Sequence, residues 1–277
     1  MALIQVNFMS KALFRNVTMN VILPVDKLTF PGRPVREDKP YKTLYLLHGV
    51  FGNYTDWVSG TNIQRWAEKN DLVVVMPSGD NSFYVDNVEA QNNYGEFIGK
   101  EMVEITRKMF HLSHKREDTY IAGLSMGGYG AIRNGLKYND TFGYIAGLSS
   151  ALITDNIDKR TNDVRFFLES RSFSESCFGD LSKVAESDKN PKWLAEKLVG
   201  ENKDIPKIFM ACGDKDSLLE ANVEFKNHLE GVGIKVTFEI GSGGHDWDFW
   251  NRYIARVLEW LPLENNGAGI NSGNIGI

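Results

Sequence analysis

The sequence predicts an α/β fold, in which a mostly parallel central sheet is flanked by helices and an irregular insert lies over one end of it. Three observations carry that expectation. Compact apolar runs at 44–47, 72–76, 120–122, 144–148 and 207–212 have the length and composition of strands buried on both faces. Segments with helical spacing alternate with them, as crossover helices do between parallel strands. Residues 154–206 then break the rhythm with charges, isolated aromatics and no strand signal, and a long insert of that kind reads as a lid or helical cap.

The elements justify this in order. Residues 6–9 and 17–23 alternate apolar and polar side chains and read as half-exposed antiparallel edge strands. Pro31, Gly32, Pro34 and Pro40 among charged residues mark 29–42 as a surface loop. The strand at 44–47 runs into His48-Gly49-Val50-Phe51-Gly52-Asn53, a glycine-bearing turn whose backbone can approach a ligand closely. Residues 62–70 are helical in pattern, and Pro77, Ser78 and Gly79 stop the strand at 72–76. The Asn- and aromatic-rich stretch 81–95 has no clean period and reads as a loop bordering a pocket. Phe97, Ile98, Met102, Ile105 and Met109 give 97–110 one apolar helical face. Beyond the insert come a helix at 218–229, a strand at 236–240 and a closing amphipathic helix at 247–261. Together 1–263 reads as one domain, with a Gly- and Asn-rich tail from Glu264 expected to be mobile.

Composition excludes several function classes. With 277 residues, 42% of them hydrophobic, the chain can bury a large core without cross-links. Its net charge of -5 supplies no basic field for nucleic acid. No apolar run approaches the roughly 18 residues of a membrane span, and the start lacks the basic and apolar regions of a signal peptide, so a cytoplasmic location is expected. The sequons at Asn16, Asn53 and Asn139 carry little weight without a secretory route. Cys177 and Cys212 lack metal-like spacing, and Asp214-Lys215-Asp216 fits no calcium-loop register, so no metal is expected.

The chemistry centres on Gly123-Leu124-Ser125-Met126-Gly127. This G-x-S-x-G pattern lies between a strand run and a helical pattern, where a sharp turn lifts a serine hydroxyl into the open. Small residues are needed at Gly123 and Gly127 because side chains there would collide as the chain doubles back. The turn also directs the Met126 amide, at a helix N-terminus, toward developing negative charge. The Val50 amide is a candidate second donor, although a plain strand-to-loop turn reads equally well there. A serine needs a base and an orienting carboxylate. Of five histidines, His48 lies in the glycine turn, His111 and His114 precede the serine, and His228 is on a helix. That leaves His245, in a Gly-rich loop after the last strand. The loop after the preceding strand offers Asp214 and Asp216, and the order Ser125, Asp216, His245 matches the Ser, Asp, His order known for this strand–turn–helix setting. Phe51, Trp57, Tyr94, Trp247 and Trp250 are candidate pocket walls that read equally well as core aromatics.

With Leu46-Leu47-His48-Gly49, Gly123 to Gly130, Cys212-Gly213 followed by Asp216, and Gly244-His245-Asp246-Trp247 in view, residues 3–262 resemble the esterase D-like α/β-hydrolases, most closely their tributyrin esterase branch. The resemblance implies an α/β-hydrolase fold, with Ser125 as nucleophile, His245 as base, Asp216 as its orienter and the Val50 and Met126 amides as oxyanion hole. It implies cofactor-free hydrolysis of short-chain acyl esters, small molecules or carbohydrate-linked, as in relatives that remove acetyl or feruloyl groups from plant polysaccharide. No nucleic-acid or membrane partner is implied, and self-association into a homo-oligomer is left open. S-formylglutathione hydrolases of the wider family usually carry Ser-Gly-Leu in place of His48-Gly49-Val50 and Asp-His-Ser-Tyr in place of Gly244-His245-Asp246-Trp247, which puts thioester hydrolysis second. Ser217 stands where relatives often have an aromatic. Outside hydrolysis, an idle carbohydrate- or partner-binding module and a water-excluding acyltransferase are the competing classes.

Overall fold

Short, fully buried strands form the centre of the molecule because their side chains are apolar on both faces. The computed structural model describes residues 1–28, 31 and 35–264. Strands β1 (Ala2–Ser10), β2 (Arg15–Leu23), β3 (Thr43–Leu47), β4 (Val73–Pro77), β7 (Thr119–Leu124), β8 (Tyr144–Leu148), β9 (Lys207–Gly213) and β10 (Val236–Gly241) form one sheet among the described residues, in the order β1-β2-β4-β3-β7-β8-β9-β10. A separate two-stranded ladder joins β5 (Asp86–Asn87) to β6 (Asn92–Asn93). The β1–β2 and β2–β4 pairings are antiparallel, and the pairings from β4 through β3 to β10 are parallel. β1 keeps the half-exposed alternation of an edge strand, whereas β2 lies one place inside and is buried over Val17 to Ile22 except for Thr18.

Period-two alternation divides the core between the two faces. Tyr45, Leu47, Val73, Val75 and Ile121 face one cluster, and Leu44, Leu46, Val74, Met76, Tyr120 and Ala122 face the other. Each fully buried side chain of this size contributes about 1.5–3 kcal/mol relative to exposure. The first cluster is covered by α5 (Met126–Lys137) and the second by α2 (Ile63–Lys69) and α9 (Trp247–Trp260). The helix expected at 97–110 starts earlier, as α3 (Tyr94–Glu96), and passes through a π-helical turn at Phe97–Glu101 into α4 (Met102–Met109). The short α1 (Asp56–Gly60) follows the glycine turn, and α8 (Leu219–Gly231) precedes β10.

The insert at 154–206 has α6 (Arg171–Phe178), α7 (Pro191–Gly200) and three 3₁₀ turns. Its Ile157, Phe178, Leu181, Val184, Leu194 and Leu198 belong to the first core cluster. Arg133 of α5, wholly buried, reaches the insert through Asp188, with Nη2 2.8 Å from Oδ2 and Nε donating to its carbonyl at 2.8 Å. The insert is thus a packed cap fastened to the helix behind the nucleophile. The tail expected beyond Glu264 lies outside the described residues.

Candidate active site

The turn between β7 and α5 has the shape its glycines demand. Ser125 has φ 52° and ψ −118°, a backbone conformation that costs a non-glycine residue about 1–3 kcal/mol and that surrounding structure must enforce. The strand and helix fold so tightly that a Cβ on Gly123 would stand 2.2 Å from the Gly127 carbonyl oxygen. One on Gly127 would stand 2.4 Å and 2.5 Å from the Leu47 and His48 carbonyls at the end of β3. Backbone bonds from Ser125 N–H to Leu148 (2.9 Å) and from Ala151 N–H to the Ser125 carbonyl (2.9 Å) clamp the turn against β8.

The structure brings Ser125, His245 and Asp216 together. The Ser125 hydroxyl lies 3.0 Å from His245 Nε2, and His245 Nδ1 lies 2.9 Å from Asp216 Oδ2. Asp216 follows β9 and its side chain is fully buried, whereas the His245 side chain is one-third exposed. Burial would push the Asp216 carboxyl up. Hydrogen bonds from His245, the Leu218 N–H and the Ser149 hydroxyl outweigh that and hold it below its usual value. The other two carboxylates of these loops have different tasks. Asp214 accepts from the Gly243 N–H at 3.0 Å and staples the histidine loop to the end of β9. Asp246 caps α9 by accepting from Phe249 N–H at 2.9 Å.

Ser125 opens into a cleft of about 750 Å³. Val50, Phe51, Trp247 and Trp250 line it, joined by Arg160, Phe166 and Glu169 of the cap. Met126 is the first residue of α5, so its N–H has no acceptor within that helix. Two expected walls lie elsewhere. Trp57 is 1% exposed, donates its indole N–H to the Leu47 carbonyl at 2.9 Å and packs edge-on behind Trp247, supporting the wall without forming it. Tyr94 faces away, where its hydroxyl meets Asp80 and Arg15 and its ring lines a separate cavity of about 210 Å³. In both cases the aromatic side chain is spent on packing inside its own layer.

His48 is a staple. Its Nε2 accepts from the Gly79 N–H at 2.8 Å and its Nδ1 lies 2.6 Å from the Gly49 carbonyl, which requires the neutral ring with the proton on Nδ1. Sequence reasoning missed Ser149 beside Asp216, because nothing in Ser149-Ser150 distinguishes it from an ordinary strand end. Among the described residues, no group of three or more His, Cys, Asp or Glu is placed to hold a metal ion, and no helix is long and apolar enough to cross a membrane.

Residues 10–261 match the sequence profile of the family described as "Putative esterase". The chain belongs to this esterase family. It is 48% identical over 264 residues to an acetyl esterase of Caldicellulosiruptor saccharolyticus, covering 94% of this chain and 98% of that protein. Among solved structures, the esterase is similar to substrate-bound FphF, a fluorophosphonate-binding serine hydrolase of Staphylococcus aureus, at a TM-score of 0.81 and 34% identity. It is also similar to an S-formylglutathione hydrolase, FrmB, of the same organism, at a TM-score of 0.79 and 33% identity. Each of these two alignments covers 94% of this chain and 98% of the other. The esterase is a serine carboxylesterase with the α/β-hydrolase fold.

Proposed function

We propose that this esterase hydrolyses short-chain acyl esters, acetyl and butyryl among them, through an acyl-enzyme on Ser125. The observation that carries this is the hydrogen-bonded series from the strained Ser125 through His245 to the buried Asp216, opening into the cleft. His245 Nε2 takes the Ser125 proton as Oγ bonds to the ester carbonyl carbon. The Val50 and Met126 amides then stabilise the oxyanion, each contributing roughly a hundred- to a thousand-fold in rate. As the carbonyl re-forms, the C–O bond to the alcohol breaks and His245 returns its proton to the leaving oxygen. A water molecule, deprotonated by the same nitrogen, attacks the acyl-enzyme, and Ser125 recovers its proton as the acid leaves. Asp216 stays ionised throughout and holds His245 in the tautomer that each step needs.

The 48% identical acetyl esterase supports a small acyl group, and an open rim that carries Phe51 and Phe166 leaves room for a bulky, carbohydrate-linked alcohol. The FrmB likeness supports S-formylglutathione as a second reading. One panel of kcat/KM values separates them, with p-nitrophenyl acetate and butyrate, acetylated xylan, methyl ferulate and S-formylglutathione as substrates and Ser125→Ala as control. Oxygen esters should lead, and the variant should lose several orders of magnitude. A preference for the thioester would transfer the assignment to the second reading, and activity that survives in Ser125→Ala would remove Ser125 from the mechanism.

A further inference from the structure

Among the described residues, Arg160 is the only lysine or arginine that lines the cleft at Ser125. The cap holds it half-buried and in a fixed orientation. Its Nη1 donates to the Leu168 carbonyl at 3.2 Å and to Ser174 Oγ at 2.9 Å. Ser174, on α6, is wholly buried and gives its own proton to the Ser170 carbonyl at 2.8 Å, so toward the guanidinium its oxygen accepts. The backbone is fastened as well, with the Arg160 N–H on the Ile157 carbonyl at 3.2 Å.

A guanidinium carries five N–H donors in a rigid fork. The two on Nη1 are spent on the cap. The three on Nε and Nη2 have no acceptor among the described residues, and neither nitrogen is sealed from solvent. This is an edge that can hold a carboxylate side-on through two parallel hydrogen bonds. The acidic groups of the cleft do not occupy it. Asp56 accepts from the Asn53 N–H at 3.2 Å, and Asp246 from the Phe249 N–H at 2.9 Å. Glu169 is exposed and attracts the guanidinium through space, without an ion-pair contact. Burial lowers the Arg160 pKa against that attraction, yet a guanidinium stays charged at neutral pH. An anion on the open edge would offset the hydration that burial removes.

We propose that Arg160 is a specificity-determining residue, whose Nε–Nη2 edge binds a carboxylate carried by the ester substrate on its acyl part or its alcohol. This deepens the carboxylesterase reading and rests on Ser125 as nucleophile. Simple acetyl and butyryl esters remain substrates, and an anionic group adds a contact that they lack.

Two matched pairs of esters test it. p-Nitrophenyl hydrogen adipate against p-nitrophenyl hexanoate places a carboxylate on the acyl part, and m-acetoxybenzoate against m-tolyl acetate places one on the alcohol. The readout is the ratio of kcat/KM, anionic over neutral, in wild type and in Arg160→Gln. Damage to the cap affects both esters of a pair and divides out of the ratio. At least one ratio should fall about 10- to 100-fold in the variant, the equivalent of a hydrogen-bonded contact between charged groups. The loss should lie in KM, because the contact is made alike in the ground state and the transition state. The pair that responds shows which part of the substrate carries the anion. Arg160→Lys, which keeps the charge without the fork, should lose less.

Unchanged ratios in both pairs, with Ser125→Ala inactive, would overturn this role, make Arg160 a strut of the cap and leave the catalytic series standing. A fall in the ratio carried by kcat alone would also overturn it. If Arg160→Gln fails to fold, Arg160→Met, which keeps much of the apolar stem, takes its place with the same readouts. Activity in Ser125→Ala would instead remove the nucleophile reading on which the role rests.

Discussion

At the scale of single residues, the site depends on polar groups whose protonation the fold decides. His48 shows it outside the catalytic series. Burial lowers its pKa, against the opposing influence of the Gly49 carbonyl, Asp56 and Asp80, and the Gly79 N–H aimed at Nε2 leaves no room for a second ring proton. The unfolded chain therefore binds this proton more readily than the folded one. His48 contributes full stability above its unfolded pKa of about 6.5, and that contribution is lost as pH falls through 6.5 toward the lower folded value. In urea titrations at pH 8 and pH 5.5, the stability advantage of wild type over His48→Gln should be larger at pH 8. Parallel pH dependences of the two proteins would show that His48 is not the titrating group. The same locality explains what the sequence disclosed. Gly123 and Ser125 are legible because the collision at Gly123 is with Gly127 in the same turn, whereas Gly127 is confined by the Leu47 and His48 carbonyls of a distant strand end and is legible only through its place in the pattern, and His245 because chain order singles it out. Ser149 is illegible, since its side-chain bond comes from a tryptophan 101 residues away. Composition likewise says nothing about which side of a layer Tyr94 or Trp57 will face.

At the scale of elements, continuous apolar runs such as β3, β4 and β7 are legible because a strand buried on both faces has no polar position to confuse the pattern. The cap was harder to read, for its helices are short and their apolar residues meet the core singly. What fastens it is a polar cluster. Arg133, 0% exposed, meets Asp188 directly, and Lys137 bridges Asp188 at 2.7 Å and Asp86 at 2.9 Å. Tyr129 of α5 adds its hydroxyl to the Lys189 carbonyl. Asp188→Asn would leave a buried guanidinium without its nearest counter-charge. A complete break in such a pair costs about 3–5 kcal/mol. Because the Asp188 side chain is 36% exposed, and its carbonyl and Asn134 still serve Arg133, a smaller loss of about 1–3 kcal/mol is expected. Urea unfolding at pH 7 measures it. A variant as stable as wild type would mean that the Asp188 carboxylate does not help to hold the cap.

At the scale of the whole molecule, the question is whether the cap opens separately from the sheet. Two buried thiols stand on either side of that boundary, Cys177 on α6 of the cap and Cys212 on β9. Burial pushes the Cys177 thiol up to about 11 and the Cys212 thiol up to about 12, so neither is a thiolate at neutral pH, and each reacts only when its surroundings open. Cys177 is held by the Asn81 carbonyl at 3.1 Å and packs in the same core cluster as Tyr129 and Ile132 of the nucleophile helix. A cap that shares a core with the sheet and is pinned through Arg133 should unfold with it, because opening it exposes Phe178, Leu181 and Leu198 together. Mass-resolved thiol labelling along a urea gradient should give both cysteines one midpoint, coincident with the loss of far-ultraviolet circular dichroism. Labelling of Cys177 well below that midpoint, with Cys212 still protected, would instead establish a cap that swings free over Ser125. Substrate access would then be gated by the insert rather than by the fixed mouth of the cleft between Phe51 and Phe166.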